Sequence, residues 1–166
     1  MAAPDVRGAG DDMLPEDVFN RGYEAVVAEL ERMVTALEPV ARVDRERAPT
    51  FWRTRLTPHT RNACPMELVI HRNQRFDLVL DTEVAEGQLI GALSMFPKIV
   101  AAVSGGRVVL RTHRAQATGA SVAREAIVSL GEGDAWSNKN ALLASSSDSE
   151  HGAVYADRHF TPYARH

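Results

Sequence analysis

The residues best able to do chemistry gather in one stretch, MELVIHRNQRFDLVLDT, positions 66–82. His71, Arg75, Asp77 and Asp81 share the polar side of a strict apolar–polar alternation. A carboxylate beside an imidazole favours the imidazolium and can tune it for proton transfer, so His71 with Asp81 or Asp77 is a candidate acid–base pair. His113, on the same side of its own stretch as Arg111, is a third catalytic candidate if the two stretches are neighbours in space. The same parity also defines a binding face: Arg53, Arg55, Val69, His71, Arg75, Asp77, Val79 and Asp81, with Glu67 among them. Val69 and Val79, with Val109 and Ile127 farther on, add an apolar component that a covering partner could use. Mixed charge at neighbouring positions is equally what a plain solvated sheet surface carries.

The remaining reactive residue types form weaker patterns. His151, His159 and His166 lie near Asp148, Glu150 and Asp157, but histidine spacings of eight and seven fit no compact metal motif. Cys64 precedes Pro65 with no evident base to lower its pKa, and a single cysteine rules out an internal disulfide. Gly105-Gly106 precedes a strand pattern, which makes it a helix stop and not a phosphate-binding loop. GxxxxGK[ST], GxGxxG and GxSxG are all missing, which lowers the case for nucleotide hydrolysis and common hydrolase chemistry. No metal and no cofactor is expected.

Bulk properties narrow the classes further. With 166 residues, 45% hydrophobic and 25% charged, the chain suits one soluble domain with a real core. Its net charge of −3 hides an asymmetry: Arg42 to Arg75 holds eight arginines against Asp44, Glu46 and Glu67. That segment carries +5 and the rest −8, so a basic patch for nucleic acid is a minor possibility. The N-terminus lacks the basic and apolar regions of a signal peptide, and no run reaches the roughly 18 apolar residues of a membrane span. A cytoplasmic location is expected.

The elements that must position these residues follow from periodicity. Residues 1–12 should be mobile, residues 13–136 form a single domain, and residues 137–166 form a tail, packed back or disordered. From Pro15 to Leu37, apolar residues at three-and-four spacing predict a helix that ends at Pro39. The arginine-rich stretch 40–50 reads as a connection. Strands are expected over Phe51–Thr57, Met66–His71 and Arg75–Glu83, with even-numbered residues buried throughout. A three-residue loop, Arg72-Asn73-Gln74, keeps the apolar faces matched. It sets Ile70 opposite Phe76 and Leu68 opposite Leu78, with Asn or Gln in the left-handed position. It also sets Asp77 across from Val69, with Asp81 farther still from His71, which weakens the catalytic pairing.

Glu86 to Ser104 returns to helical spacing, with Pro97 predicting a kink or two short helices joined near Ser94. A second hairpin, Arg107–Ala115 and Ser121–Leu130, matches its faces if Leu110 lies opposite Ala126 and Val108 opposite Val128, setting Arg111 against Glu125. Beyond Gly131 the periodic signal fades.

The resulting expectation is an α+β two-layer fold: an antiparallel sheet of about five strands with helices on one face, in the order α-β-β-β-α-β-β, plus an irregular tail. Over residues 15–131 that order, with the acidity and small size, is similar to the small secretion chaperones that bind effector segments as dimers. The third helix expected at their end is not evident. The leading functional expectation is a non-enzymatic binding or assembly protein, chaperone-like or an adaptor, holding a protein partner or a second copy of itself on a sheet face or helix surface. The alternative is a small enzyme or ligand-binding protein with a pocket between sheet and helices, using His71, Arg75 and Asp81. Nucleic-acid binding through Arg42 to Arg75 ranks third.

Overall fold

A computed structural model describes residues 13–142 and 154–164. The segment 1–12, the serine-rich run and His151 and His166 lie outside the described residues. The fold is α+β and mostly sheet.

The first helix, α1 (Glu16–Ala36), buries Phe19, Tyr23, Val26, Val27, Leu30 and Val34, one stripe of a 3.6-residue period. Glu16 and Asp17 lie in its first turn, where the macrodipole favours acids. Five strands then form an antiparallel meander: β1 (Ala41–Arg47), β2 (Phe51–Pro58), β3 (Met66–His71), β4 (Arg75–Leu80) and β5 (Glu83–Leu89). Helix α2 (Met95–Ser104) leads into β6 (Val108–Arg114), β7 (Ser121–Gly131), β8 (Asp134–Ala141) and β9 (Val154–His159). These four make a second antiparallel sheet in the order β8-β7-β6-β9.

Parity decides the core. Trp52, Leu56, Met66, Leu68, Ile70, Phe76, Leu78 and Leu80 are all at most 2% exposed, the even-numbered set expected from alternation. Ile70 pairs with Phe76 and Leu68 with Leu78 across the first hairpin. Gln74 is the loop residue with a left-handed backbone, at φ 66°. Its amide exchanges two hydrogen bonds with the backbone of Leu14, at 2.8 and 2.6 Å. The same turn sends Arg72 over the Tyr23 ring at 4.3 Å and onto Asn20 and Glu24, so the hairpin tip is clamped to the start of α1. In the second sheet Val108 faces Val128 and Leu110 faces Ala126, as the matched faces require. Val108, Ala126 and Val128 are buried in the same core as α2. Each large apolar side chain buried in this way stabilises the fold by about 1.5–3 kcal/mol.

Three segments differ from the sequence expectation. The arginine-rich connection is strand β1, whose only buried residue is Ala41. It has no apolar face to read; the ladder to β2 holds it, as do Arg45 on Glu31 (2.9 Å) and Glu38 (2.5 Å) and Arg47 on Glu24 (2.5 Å). Residues 86–89, expected to open the second helix, belong to β5; the spacing of Leu89, Leu93 and Phe96 imitated a helical stripe, yet Leu89 is 41% exposed. The helix starts at Met95, directly after Ser94, so Pro97 falls in its first turn. There its missing N–H has no intrahelical partner to lose, and no kink is needed.

The third difference is the C-terminal region, which supplies β8 and β9. Thus the two expected hairpins lie in separate sheets. The strands that complete the first sheet are β1 and β5. Beyond β9, Phe160 and Tyr163 enter the core, and the Tyr163 hydroxyl donates to Cys64 O. The Tyr163 N–H donates to Ser104 O at 2.9 Å and the Thr161 N–H to Asn62 O at 3.0 Å. Gly106 makes this return possible: at φ 77°, an added Cβ would lie 2.6 Å from Pro162 N. Burial pushes the Cys64 thiol up to about 12 and raises the Tyr163 hydroxyl, so both stay neutral. No helix among the described residues is long and apolar enough to cross a membrane.

Candidate functional site

The outer face of the five-stranded sheet, opposite the helices, carries the odd-numbered residues. Arg53 and Arg55 come from β2, Glu67, Val69 and His71 from β3, and Arg75, Asp77 and Val79 from β4. Strand pairing brings Arg55 opposite Glu67, Arg53 opposite Val69, and Glu67 opposite Val79. Both arginines reach the same carboxylate oxygen of Glu67, at 3.1 and 2.8 Å. The Arg53 guanidinium, then Arg55, holds the Glu67 carboxyl below its ordinary range, so it is ionised near neutrality.

His71 and Asp77 meet, against the expectation that the turn would keep them apart. His71 Nε2 lies 2.7 Å from Asp77 Oδ2, because a long side chain on one strand reaches the diagonal neighbour on the next. Sequence parity identified the shared face but discounted this diagonal. A bulge completes the arrangement: Asp77 on β4 opposes two β5 residues, and Gly87, at φ 61°, donates its N–H to Asp77 Oδ1 at 2.7 Å. Asp77 is therefore oriented from both sides. The Phe51 ring flanks His71 at 6.3 Å between centroids.

Asp81 and Arg75 separate from this pair. Asp81 sits at φ 55° in the β4–β5 turn and accepts from Arg158 of β9 at 3.0 Å. Arg75 is exposed and donates to Gly87 O at 2.8 Å. Neither approaches the imidazole with a hydrogen bond, so the expected set of His71, Arg75 and Asp81 is not one cluster. His113 is in the other sheet, 3.3 Å from Glu125 and with the Tyr155 ring 6.0 Å away. Arg111 faces Glu125 in the register, but its guanidinium instead grips Asp157 through two bonds, at 2.8 and 3.0 Å. Asp157 was not distinguished as its partner because the sequence carries no periodic sign of β9.

The chemistry available to the His71–Asp77 pair is limited by its surroundings. Among the described residues no hydroxyl or thiol side chain hydrogen-bonds to His71, so the pair has no adjacent nucleophile to activate. The hollow on this face, about 240 Å³, is bounded by Arg55, Glu67, Val79 and Asp81 and does not include the imidazole. A larger cleft of about 330 Å³ with charged side chains in its wall lies where the sheets meet, between Asp81–Glu83 and the side chains of Arg111, Arg124, Asp157 and Arg158. Its positive and negative groups are already engaged with each other, as in Arg111–Asp157 and Arg158–Asp81. The surface of the first sheet is thus preorganised and polar, with half-buried Val69 and Val79 between its ion pairs.

The arginine-rich segment is also largely balanced in place. Arg45, Arg47, Arg53, Arg55 and Arg72 each have a carboxylate within 3.1 Å, supplied mainly by α1 and by Glu67. The chain matches no protein-family model, no curated protein and no solved structure.

Proposed function

We propose that this chain is a non-enzymatic binding or assembly protein that holds a protein partner on the outer face of its five-stranded sheet. One observation carries the reading. Val69 and Val79 sit half-buried beside the Arg53–Glu67–Arg55 ion pairs and the His71–Asp77 hydrogen bond, an apolar centre with a largely satisfied polar surround. Apart from Arg75, whose cation meets only the Gly87 carbonyl, such a surface can be covered without stranding a charge, which keeps the desolvation cost of binding low. With no hydroxyl or thiol hydrogen-bonded to His71 among the described residues, and a hollow that does not include the imidazole, catalysis has little support. Paired arginines weaken the case for nucleic acid, whose binding needs free cations facing phosphate. The reading includes a cytoplasmic location, where a reduced Cys64 is the stable form.

The test is crosslinking in the native host followed by reconstitution with the purified partner so identified. Val79→Lys, which meets Glu67 across the strand pair instead of opposing a like charge, should lower affinity at least tenfold while leaving the circular-dichroism spectrum and urea midpoint nearly unchanged. A partner bound equally by both proteins overturns the reading. A second reading, a small ligand-binding protein or enzyme, draws on the short His71–Asp77 bond and its orientation by Gly87. It requires a metabolite-induced thermal shift that His71→Ala abolishes; a shift that survives the substitution removes it.

A further inference from the structure

Among the described residues four strand edges end the two sheets, and β9 is the least protected of them. β1 carries alternating charge tied back to α1 through Arg45 and Arg47. β5 is capped from the other sheet: the Asn138 and Asn140 amides donate to Val84 O, at 3.5 and 3.1 Å, occupying an acceptor that another strand would use. β8 has exposed Lys139 and lies against a β7 bulge between Ser129 and Gly131. Asp157 and Arg158 of β9 are tied to Arg111 and Asp81, but among the described residues this edge has no bulge and no side chain hydrogen-bonded to its outward peptide groups. Its ladder to β6 is regular over six pairs, and all six of its residues are exposed. It also holds Val154 and Tyr155, at 56% each the most exposed large apolar side chains among the described residues.

The outward backbone groups of β9 can be assigned from alternation. The Ser129 N–H donates to Arg107 O at 3.1 Å, so odd-numbered residues of β6 serve β7. The Phe160 N–H donates to Val108 O at 3.4 Å, so even-numbered residues of β6 serve β9. Opposite them, Val154, Ala156 and Arg158 turn their peptide groups toward β6. Tyr155, Asp157 and His159 therefore point theirs away from the sheet.

We infer that β9 pairs with β9 of a second copy, antiparallel about a two-fold axis at Ala156, joining two four-stranded sheets into one of eight. A two-fold perpendicular to the sheet keeps equal parity on one face, so each symmetric register centres on one residue. Centring on Asp157 opposes two carboxylates directly, which is unfavourable. Centring on Ala156 opposes Tyr155 to Asp157 of the second copy and Val154 to Arg158 of the second copy, with the two small Ala156 side chains meeting on the axis. Tyr155 and Asp157 are both outward-bonding, so the two symmetry-related Tyr155–Asp157 pairs each exchange two N–H···O=C bonds, while Val154 and Arg158 meet as a non-hydrogen-bonded pair. Each Asp157 arrives with its charge balanced by its own Arg111, whose guanidinium also stacks on its own Tyr155 ring at 4.2 Å. The second copy is favoured over an unrelated strand because this one sequence meets the requirements of both sides: opposed unlike groups and free peptides in matching phase.

The interface is remote in sequence from Val79, so its success or failure is separable from that of the partner-binding reading. Light scattering after size exclusion on the full chain should give a dimer that dissociates on dilution. Ala156→Cys should form a disulfide-linked dimer under mild oxidation, because self-opposed residues in a non-hydrogen-bonded pair have Cα atoms about 4.5 Å apart. Tyr155→Cys, two residues out of phase with itself, should link far less, and buried Cys64 provides no background. Tyr155→Pro removes an outward N–H but none of the bonds to β6, and should yield a monomer with an unchanged circular-dichroism spectrum. A wild type that is monomeric at micromolar concentration overturns the inference. So does a dimer that Ala156→Cys fails to link, which would put the contact elsewhere.

Discussion

The two sheets present opposite solutions to the same problem. In the first, both edges are protected and the polar outer face is tied together by the Arg53–Glu67–Arg55 ion pairs and the His71–Asp77 hydrogen bond, with two valines near its centre. In the second, the face is similarly paired through His113–Glu125 and Arg111–Asp157, but one edge is a regular, exposed strand. The lesson is that these sheets differ less in the composition of their faces than in what their edges can accept. A face binds through shape and desolvation, whereas an edge binds through peptide groups and can recognise an identical strand. The proposed functions divide accordingly between β3–β4 and β9.

The first sheet draws its stability from the core beneath it. Trp52 is fully buried beneath the first sheet and its indole N–H donates to Glu31 of α1 at 2.7 Å. Trp52→Ala should cost about 3–5 kcal/mol, seen as a large fall in the urea midpoint, because it leaves a cavity and an unpartnered carboxylate oxygen. If the first sheet is the stability core, this loss exceeds that of any single change in β9.

A smaller effect tests how the C-terminal residues are held. Gly106→Ala forces a side chain into a left-handed backbone and against Pro162, and should cost about 1–3 kcal/mol. Hydrogen exchange should then speed up first at Thr161 and Tyr163, whose N–H bonds tie the chain to residues 62 and 104. Uniform acceleration across both sheets would mean that this return is part of the global unfolding unit.

The smallest effect concerns acid. Glu67 has a folded-state pKa depressed below its ordinary 4.5, chiefly by its hydrogen bond to Arg53. A depressed carboxylate contributes stability above the unfolded pKa and loses it as pH falls through the folded one. The urea midpoint of the wild type should therefore exceed that of Glu67→Gln near neutrality, with the gap closing as pH falls below 4.5. A gap independent of pH would show that packing, not charge, distinguishes the two, and would weaken the description of this face as a preorganised ionic surface.

How much was legible in the sequence depended on whether an apolar period existed to be read. α1, the register of both hairpins and the buried parity of Trp52 through Leu80 follow from periods of 3.6 and 2, which local sequence contains. β1 and β9 have no such signal, because their pairing rests on backbone ladders and on charges supplied from distant positions. Leu89, Leu93 and Phe96 supplied a false helical period, since a strand end, a turn and a helix start can share that spacing. At the candidate site, the common face of His71, Asp77, Val69 and Val79 was legible. The contact between His71 and Asp77 was not, because it depends on a diagonal reach and on the Gly87 bulge.

By itself, then, the sequence determined which side of each hairpin is wet, which residues oppose one another and where the first helix runs, all consequences of local alternation and turn length. Only the tertiary structure decided that the hairpins belong to different sheets, that Asp81 and Asp157 turn to arginines far away in the chain, and that β9 ends a sheet with its peptides facing out. Strand order and edge exposure are set by long-range packing, and no local period encodes them.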